Sequence, residues 1–251
     1  MSADNAKNAK SKFKINQDAY VASSLLPNPN SFSRSLYKTK IVGQNLRKVT
    51  ISLPSGEFTE IASSKVHLNI GLSIIEIGDF STETTTLDPL TKALLNFSRL
   101  LIDDSAVVAV KLRSTTELDL WWTNNGPAYT HVILIGHGSP NGIHFAVDGE
   151  VYHNRLSQIF EKSNSQAVFI SLCCETGCQS FSGEFSKNRF CKAIIAPRET
   201  IHAAVASQFS QAMLCWSLVE GKTNKIAFNR AKSTIAGAVN MTMWKNGNSM
   251  Q

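Results

Sequence analysis

The sequence predicts an α/β protein: a mostly parallel sheet flanked by helices in a three-layer α/β/α arrangement. Two observations carry this. LNIGLSIIEIGDF (68–80), AVVAVKL (106–112), HVILIGHGS (131–139), QAVFISLCC (166–174) and CKAIIAP (191–197) are apolar on consecutive residues. That is the pattern of strands buried on both faces, as in a parallel sheet. Segments with helical spacing alternate with them, which implies a doubly wound topology.

The elements follow in order. Residues 1–45 are polar, rich in Asn, Ser and Lys and broken by Pro27 and Pro29, and are expected to be a flexible basic arm. RKVTISLPSGEFTEI (47–61) reads as a hairpin around Pro-Ser-Gly, within an extension spanning 46–70. Residues 71–251 form the α/β domain. Asp88-Pro89 opens an amphipathic helix with Leu90, Leu94, Leu95, Phe97, Leu100 and Leu101 at helical spacing. STTELDLWW (114–122) is a helix with Ser114 or Thr115 as N-cap and Glu117 in its first turn. GIHFAVDGEVY (142–152) is a hairpin around Asp148-Gly149, and RLSQIFEKS (155–163) is helical. Two helices close the chain. One carries Val205, Phe209, Met213, Trp216 and Val219 and ends at Gly221; the other carries Ile226, Phe228, Ala231, Ile235 and Val239.

Composition narrows the function classes. A chain of 251 residues, 43% hydrophobic and 18% charged, is that of a globular protein. No apolar run reaches the roughly 18 residues of a membrane-spanning helix. The first residues, MSADNAKNAKSKFKINQD, contain no apolar h-region, so cytoplasmic residence is the default expectation. Residues 1–48 hold nine Lys and Arg against Asp4 and Asp18, a charge of +7; the rest has 16 basic and 17 acidic residues and sums to −1. The charge therefore belongs to the arm, and a nucleic-acid surface on the folded body is not expected. Five cysteines, an odd number, do not make a disulfide framework. Cys173, Cys174, Cys178 and Cys191 read as reactive or packed thiols in a reducing compartment.

In doubly wound sheets, chemistry gathers at the carboxyl ends of the strands. Three polar endings lie there: Gly78-Asp79, Gly136-His137-Gly138, and Cys173-Cys174-Glu175-Thr176-Gly177. His137 alone among six histidines sits between glycines at a strand end. Neighbouring parallel strands would set its imidazole beside a thiol, the pairing that nucleophilic catalysis needs. A metal site is disfavoured because adjacent cysteines are poor tetrahedral partners and no Cys-x2-Cys pair occurs. GHGSPNG lacks the spacing of a phosphate loop, and no Gly-x-Ser-x-Gly is present.

GHGS at the end of one strand and SLCCETG at the end of the next resemble the caspase-like cysteine peptidases of the caspase–haemoglobinase fold. Cys174-Glu175-Thr176-Gly177, the strand CKAIIAP, the following helix, and Gly221 with Ala227 and Ala231 are most similar to the CHAT-domain branch, over residues 70 to 240. The resemblance implies a cysteine endopeptidase acting on a protein or peptide substrate through a Cys174/His137 dyad, with no cofactor. It aligns Cys174 with the family nucleophile. Strand alternation agrees, since Cys173 and Cys174 must face opposite sides. It implies backbone N–H groups of Gly138 and Cys174 as oxyanion donors, and Asp79, Arg198 or Glu199 as charged pocket residues for the side chain before the scissile bond. Asp79 gives a weak lean toward a basic side chain there, and capping of its own loop is an equal alternative. No acidic third member is evident. The resemblance further implies a sensor or activator protein, and a role in bacterial defence or regulated cell death. The alternative is a catalytically silent caspase-like interaction module.

Overall fold

A computed structural model describes residues 13–45, 47–163 and 165–250. The first elements are strands: β1 (Asp18–Ala22), β2 (Leu36–Gln44), β3 (Lys48–Ser52), β4 (Phe58–Ala62) and β5 (Val66–His67). They form a five-stranded sheet in the order β4-β3-β2-β1-β5. The expected hairpin is the β3/β4 pair, antiparallel with Val49 opposite Ile61. The expected flexible arm is corrected from Phe13 onward. β1 and β2 lie in the middle of this sheet, and Phe13, Ala19, Val21, Ile41, Val49, Ile51 and Ile61 close a core of their own. Pro27, Pro29 and the Asn and Ser content suggested a tail, yet apolar residues of this stretch sit at positions the sheet buries. Residues 1–12, where the arm reading also falls, lie outside the described residues.

The second sheet is built from β6 (Leu72–Ile77), α1 (Asp88–Leu101), β7 (Val107–Leu112), α2 (Thr115–Asn125), β8 (His131–Ile135), β9 (His137–Gly138), β10 (Gly142–Phe145), β11 (Gly149–Tyr152), α3 (His153–Phe160), β12 (Ala167–Ser171), β13 (Cys191–Pro197), α4 (Ala203–Leu214), α5 (Asn224–Thr234), β14 (Met241–Lys245) and β15 (Asn248–Ser249). Seven strands are ordered β15-β14-β13-β12-β8-β6-β7, while β9, β10 and β11 form a separate small sheet. The strands from β13 to β7 are mutually parallel, and β14 is antiparallel to β13. The predicted α/β class, a mostly parallel sheet flanked by helices, is what the chain adopts.

Strand alternation divides the interior into two cores. Leu72, Ile74, Ile133, Ile135, Val168, Ile170 and Ile195 face one side, with Leu94 of α1, Phe209 of α4 and Phe228 of α5. Ile75, Ile77, Val132, Leu134, Phe169 and Ile194 face the other, with Trp122 of α2 and Phe160 of α3. That side holds edge-to-face aromatic pairs, Trp122–Phe160 at 4.7 Å and Phe160–Phe169 at 5.0 Å between centroids. Ser114 caps α2 in a capping box with Glu117. Ala227 and Ala231 are fully buried one turn apart on α5, small side chains that let Phe228 reach Phe209. The second closing helix is shorter than predicted: it ends at Thr234, and Ile226 and Val239 are exposed. The sequence reading also missed β14, whose Met241 and Met243 join the first core and whose Trp244 joins the second. Among the described residues no helix is long and apolar enough to cross a membrane.

An ion cluster ties the segment between β6 and α1 to the sheet. Lys111 on β7 lies 2.6 Å from Asp88, 3.1 Å from Glu76 and 3.4 Å from Glu83. Glu76 is buried; its Oε1 meets the ammonium off the hydrogen-bond direction, so the contact is an ion pair only. Arg113 grips Glu83 with Nε and a terminal amine at 3.1 and 2.9 Å. The hydrogen bond from Lys111 holds Asp88 below its ordinary pKa, and that from Arg113 does the same for Glu83.

Two outcomes follow. Ile41→Ala should lower urea-unfolding stability by about 2–5 kcal/mol; a flexible arm would show no change. Lys111→Met should lower Tm at neutral pH. Because the folded state depresses Asp88 and Glu83, the stability they contribute is present above their ordinary values and lost as pH falls through the folded ones. The Tm deficit of Lys111→Met should therefore shrink below about pH 4, where the carboxylates of both proteins take up protons.

Candidate active site

β8 and β12 are adjacent and parallel, with Leu134 opposite Ser171 and the Leu172 N–H donating to the Leu134 carbonyl at 2.8 Å. His137 follows Leu134 by three residues, and Cys174 follows Ser171 by three. Both residues thus lie just past the carboxyl ends of neighbouring strands, Cys174 beyond β12 and His137 in β9, which pairs with β10 of the small sheet.

Past Ser171 the chain is held by buried polar contacts. Thr176 donates its hydroxyl to the Cys173 carbonyl at 2.8 Å and meets the Ser171 hydroxyl at 2.8 Å. Gly177 passes so close to β13 that a Cβ there would lie 2.6 Å from the Ala196 carbonyl oxygen. Its N–H donates to Pro197, and its carbonyl accepts from Trp244 Nε1 at 2.8 Å. Thr-Gly after the cysteine pair is therefore a tie to the sheet and a close approach. Between them Glu175 has a left-handed backbone, φ 64°, an uncommon conformation for a residue with a Cβ.

The two thiols separate as alternation requires. Cys173 is fully buried in the core of α2 and α3, its Sγ 4.0 Å from the Leu134 carbonyl. Burial pushes its pKa up to about 12, so it stays a neutral thiol. Burial likewise raises Cys191 and Cys215. Cys174 is only partly buried. Gly138 approaches its turn closely: a Cβ on Gly138 would be 2.6 Å from the Cys174 carbonyl oxygen.

The His137 ring is anchored from the β6 side. Nε2 lies 2.6 Å from Thr82 Oγ1 and 3.5 Å from Asp79 Oδ2. Asp79 also accepts from Ser81 at 2.6 Å and from Thr82 at 2.8 Å. The hydrogen bonds from Ser81 and then Thr82 hold its carboxyl below the usual range, with His137 adding to the effect. A hydroxyl has one proton, and an ionised carboxylate can only accept. Thr82 therefore donates to Asp79 and accepts from His137 Nε2–H. Nδ1 is left with the lone pair, the arrangement of a base. Among the described residues no hydrogen bond joins Cys174 Sγ to this ring.

A cleft of about 380 Å³ opens beside the ring, lined by Asp79, Thr82, His137, His144, Phe145 and Ala146. The residues next to this lining, Phe80 and Val147, are both exposed. The charged candidates divide. Asp79 lines the cleft and also accepts from Ser81 and Thr82, the loop capping held as the equal alternative, with its Oδ2 3.5 Å from His137 Nε2. Glu199 is held by Asn240 Nδ2 at 2.5 Å, and its carbonyl meets the Glu175 N–H at 3.4 Å. Arg198 is exposed and has no ion pair among the described residues. Thr82 was missed altogether; the one available signal was a Ser-Thr pair following Asp79 by two and three residues, a turn pattern. Ser139 of GHGSPNG bonds Glu150 and accepts from the N–H groups of Asn141 and Gly142, so this loop is an ordinary side-chain-stabilised turn. No cluster of three His, Cys, Asp or Glu residues fit to hold a metal occurs among the described residues.

No protein-family model and no curated protein matches the sequence. Among solved structures, the chain is similar to the X-ray structure of a secreted C11 cysteine protease from Bacteroides thetaiotaomicron in complex with an irreversible peptide inhibitor. Identity is 10%, the match covers 70% of this chain and 66% of that one, and the TM-score is 0.48. The chain thus spans just under two thirds of that protein's length.

The thiols make a direct test. Iodoacetamide at about pH 8, followed by peptide mapping, should modify Cys174 and leave Cys173 untouched. Equal labelling of the two would refute their placement on opposite faces.

Proposed function

We propose that the chain is a cysteine endopeptidase of the caspase-like type, with Cys174 as nucleophile and His137 as the group that takes and returns the proton. The observation that carries this reading is that His137 and Cys174 each follow by three residues a registered pair, Leu134 opposite Ser171, near the carboxyl ends of the adjacent parallel strands β8 and β12. The anchored tautomer of His137 supports it, because it presents a lone pair rather than a proton.

In this mechanism Nδ1 of His137 takes the Cys174 proton, and the thiolate attacks the scissile carbonyl carbon. Backbone N–H groups of Gly138 and Cys174 are the proposed donors to the oxyanion, at a place where the two segments are already in van der Waals contact. The intermediate collapses as His137 protonates the leaving amine. Water, deprotonated by the same ring, then releases the acyl group. Thr82 and Asp79 act through His137: they fix the tautomer, and the carboxylate 3.5 Å away favours the transient imidazolium. With Asp79 and Glu199 engaged, Arg198 is the candidate for the specificity pocket, and its charge would favour an acidic side chain before the scissile bond. Five free cysteines suit a reducing compartment, so cytoplasmic action on a protein substrate is the proposed setting. The motif order shared with the CHAT-domain branch makes an effector of bacterial defence or regulated cell death, switched by a sensor or activator protein, the proposed role.

Cleavage of dye-labelled casein and of a peptide library tests the reading. Cys174→Ala should abolish turnover. Thr82→Val, which keeps the shape and removes the hydroxyl, should lower kcat by about 10- to 100-fold with little change in KM. Arg198→Ala should weaken cleavage after Asp or Glu selectively. Turnover by the Cys174→Ala protein, or none by wild type in the presence of its activator, would sink the proposal.

A further inference from the structure

The opposite edge of the seven-stranded sheet carries a second cleft, of about 470 Å³, where β8, β12 and β13 begin. Four lysines line it, Lys192, Lys222, Lys225 and Lys245, together with His67 and His131, and among the described residues no Asp or Glu does. None of the four lysines forms an ion pair among the described residues. Glu220, the nearest acid in sequence, is exposed and outside the lining. Like charges gathered in a concave site repel one another, and their field is focused by the low-dielectric walls. An anion relieves both costs.

A second feature points into the same space. The N-terminus of α5, an 11-residue helix, opens on the cleft through Thr223, Asn224 and Lys225. The Thr223 hydroxyl satisfies only the Ile226 N–H, at 3.4 Å. The N–H groups of Asn224 and Lys225 are ones that helix geometry leaves without an intrahelical acceptor, and they carry the positive end of the helix dipole. Val168, Leu218 and Met243 add an apolar wall. The volume is that of a small-molecule site, and the concavity distinguishes it from an extended nucleic-acid track.

We propose that this cleft binds a small molecule bearing several phosphate groups, held by Lys192, Lys222, Lys225 and Lys245 and by the amino end of α5. The site lies at the amino ends of the strands, away from Cys174 and His137, and its occupancy does not depend on the protease reading. His131 reports on it. Burial first, then the charges of Lys192 and His67, lower its pKa from 6.5 to about 4. A bound anion works against the second effect.

Calorimetry on the full chain with inorganic tripolyphosphate and with orthophosphate tests this. The expected result is saturable binding of one tripolyphosphate, at least about tenfold tighter than orthophosphate, since several ammonium groups act on one ligand. Lys222→Glu and Lys225→Glu should each weaken it by about tenfold or more. Lys225→Glu places an acid in the first turn of α5, where the dipole favours it, so this variant should fold at least as stably as wild type. Lys92→Glu, on α1 and outside the lining, should bind as wild type. Ring resonances of His131 should titrate at higher pH with the ligand present. No saturable binding, equal affinity for the two anions, wild-type affinity in Lys225→Glu, or equal loss in Lys92→Glu would each overturn the proposal.

Discussion

The parallel pairing of β8 with β12 is the constraint on which the rest of this structure depends. Both strands are buried on both faces, so each residue is committed to one of two cores and a one-residue slip would expose an entire apolar set. With Leu134 held opposite Ser171, the ends of the two strands have no freedom of level. His137 and Cys174 are carried to the same edge because Ile133, Leu134, Phe169 and Ile170 cannot sit anywhere else.

Around this pair, small and polar residues serve geometry. Gly138 and Gly177 are places where backbones approach within a distance that any Cβ would occupy. Thr176, fully buried, ties the turn to the end of β12. The unusual conformation of Glu175 is tolerated because contacts on both sides determine it, as is common where a side chain must be presented from a tight turn. From the other side, the cluster of Lys111, Arg113, Glu76, Glu83 and Asp88 fixes the segment that brings Asp79 and Thr82 to the imidazole. Charge in this protein is organised as local networks.

Much of this was legible in the chain. Continuous apolar runs forecast five parallel strands, and Ser114 with Glu117 forecast the start of α2. Alternation alone separated Cys173 from Cys174, and burial of Cys173 agrees with it. Other readings failed for identifiable reasons. The stretch from Phe13 to Gln44 is rich in Ser and Asn and broken by Pro27 and Pro29, yet it holds apolar residues that an antiparallel sheet buries. MTMWK is a short strand that gains its partner from β13, a pairing across more than 40 residues that no local pattern signals. Ile226 and Val239 carried a helical period that the end of α5 at Thr234 interrupts.

The sequence by itself determined the α/β class, the strand-end positions of His137 and Cys174, and that Cys173 and Cys174 face opposite sides. These follow from hydrophobic periodicity, which is local. Only the tertiary structure decided that Thr82 bridges Asp79 and His137, that Glu199 is tied to Asn240, and that four lysines share one cleft. Hydrogen bonds and charge fields depend on distances between segments, and those distances exist only once the sheets have closed.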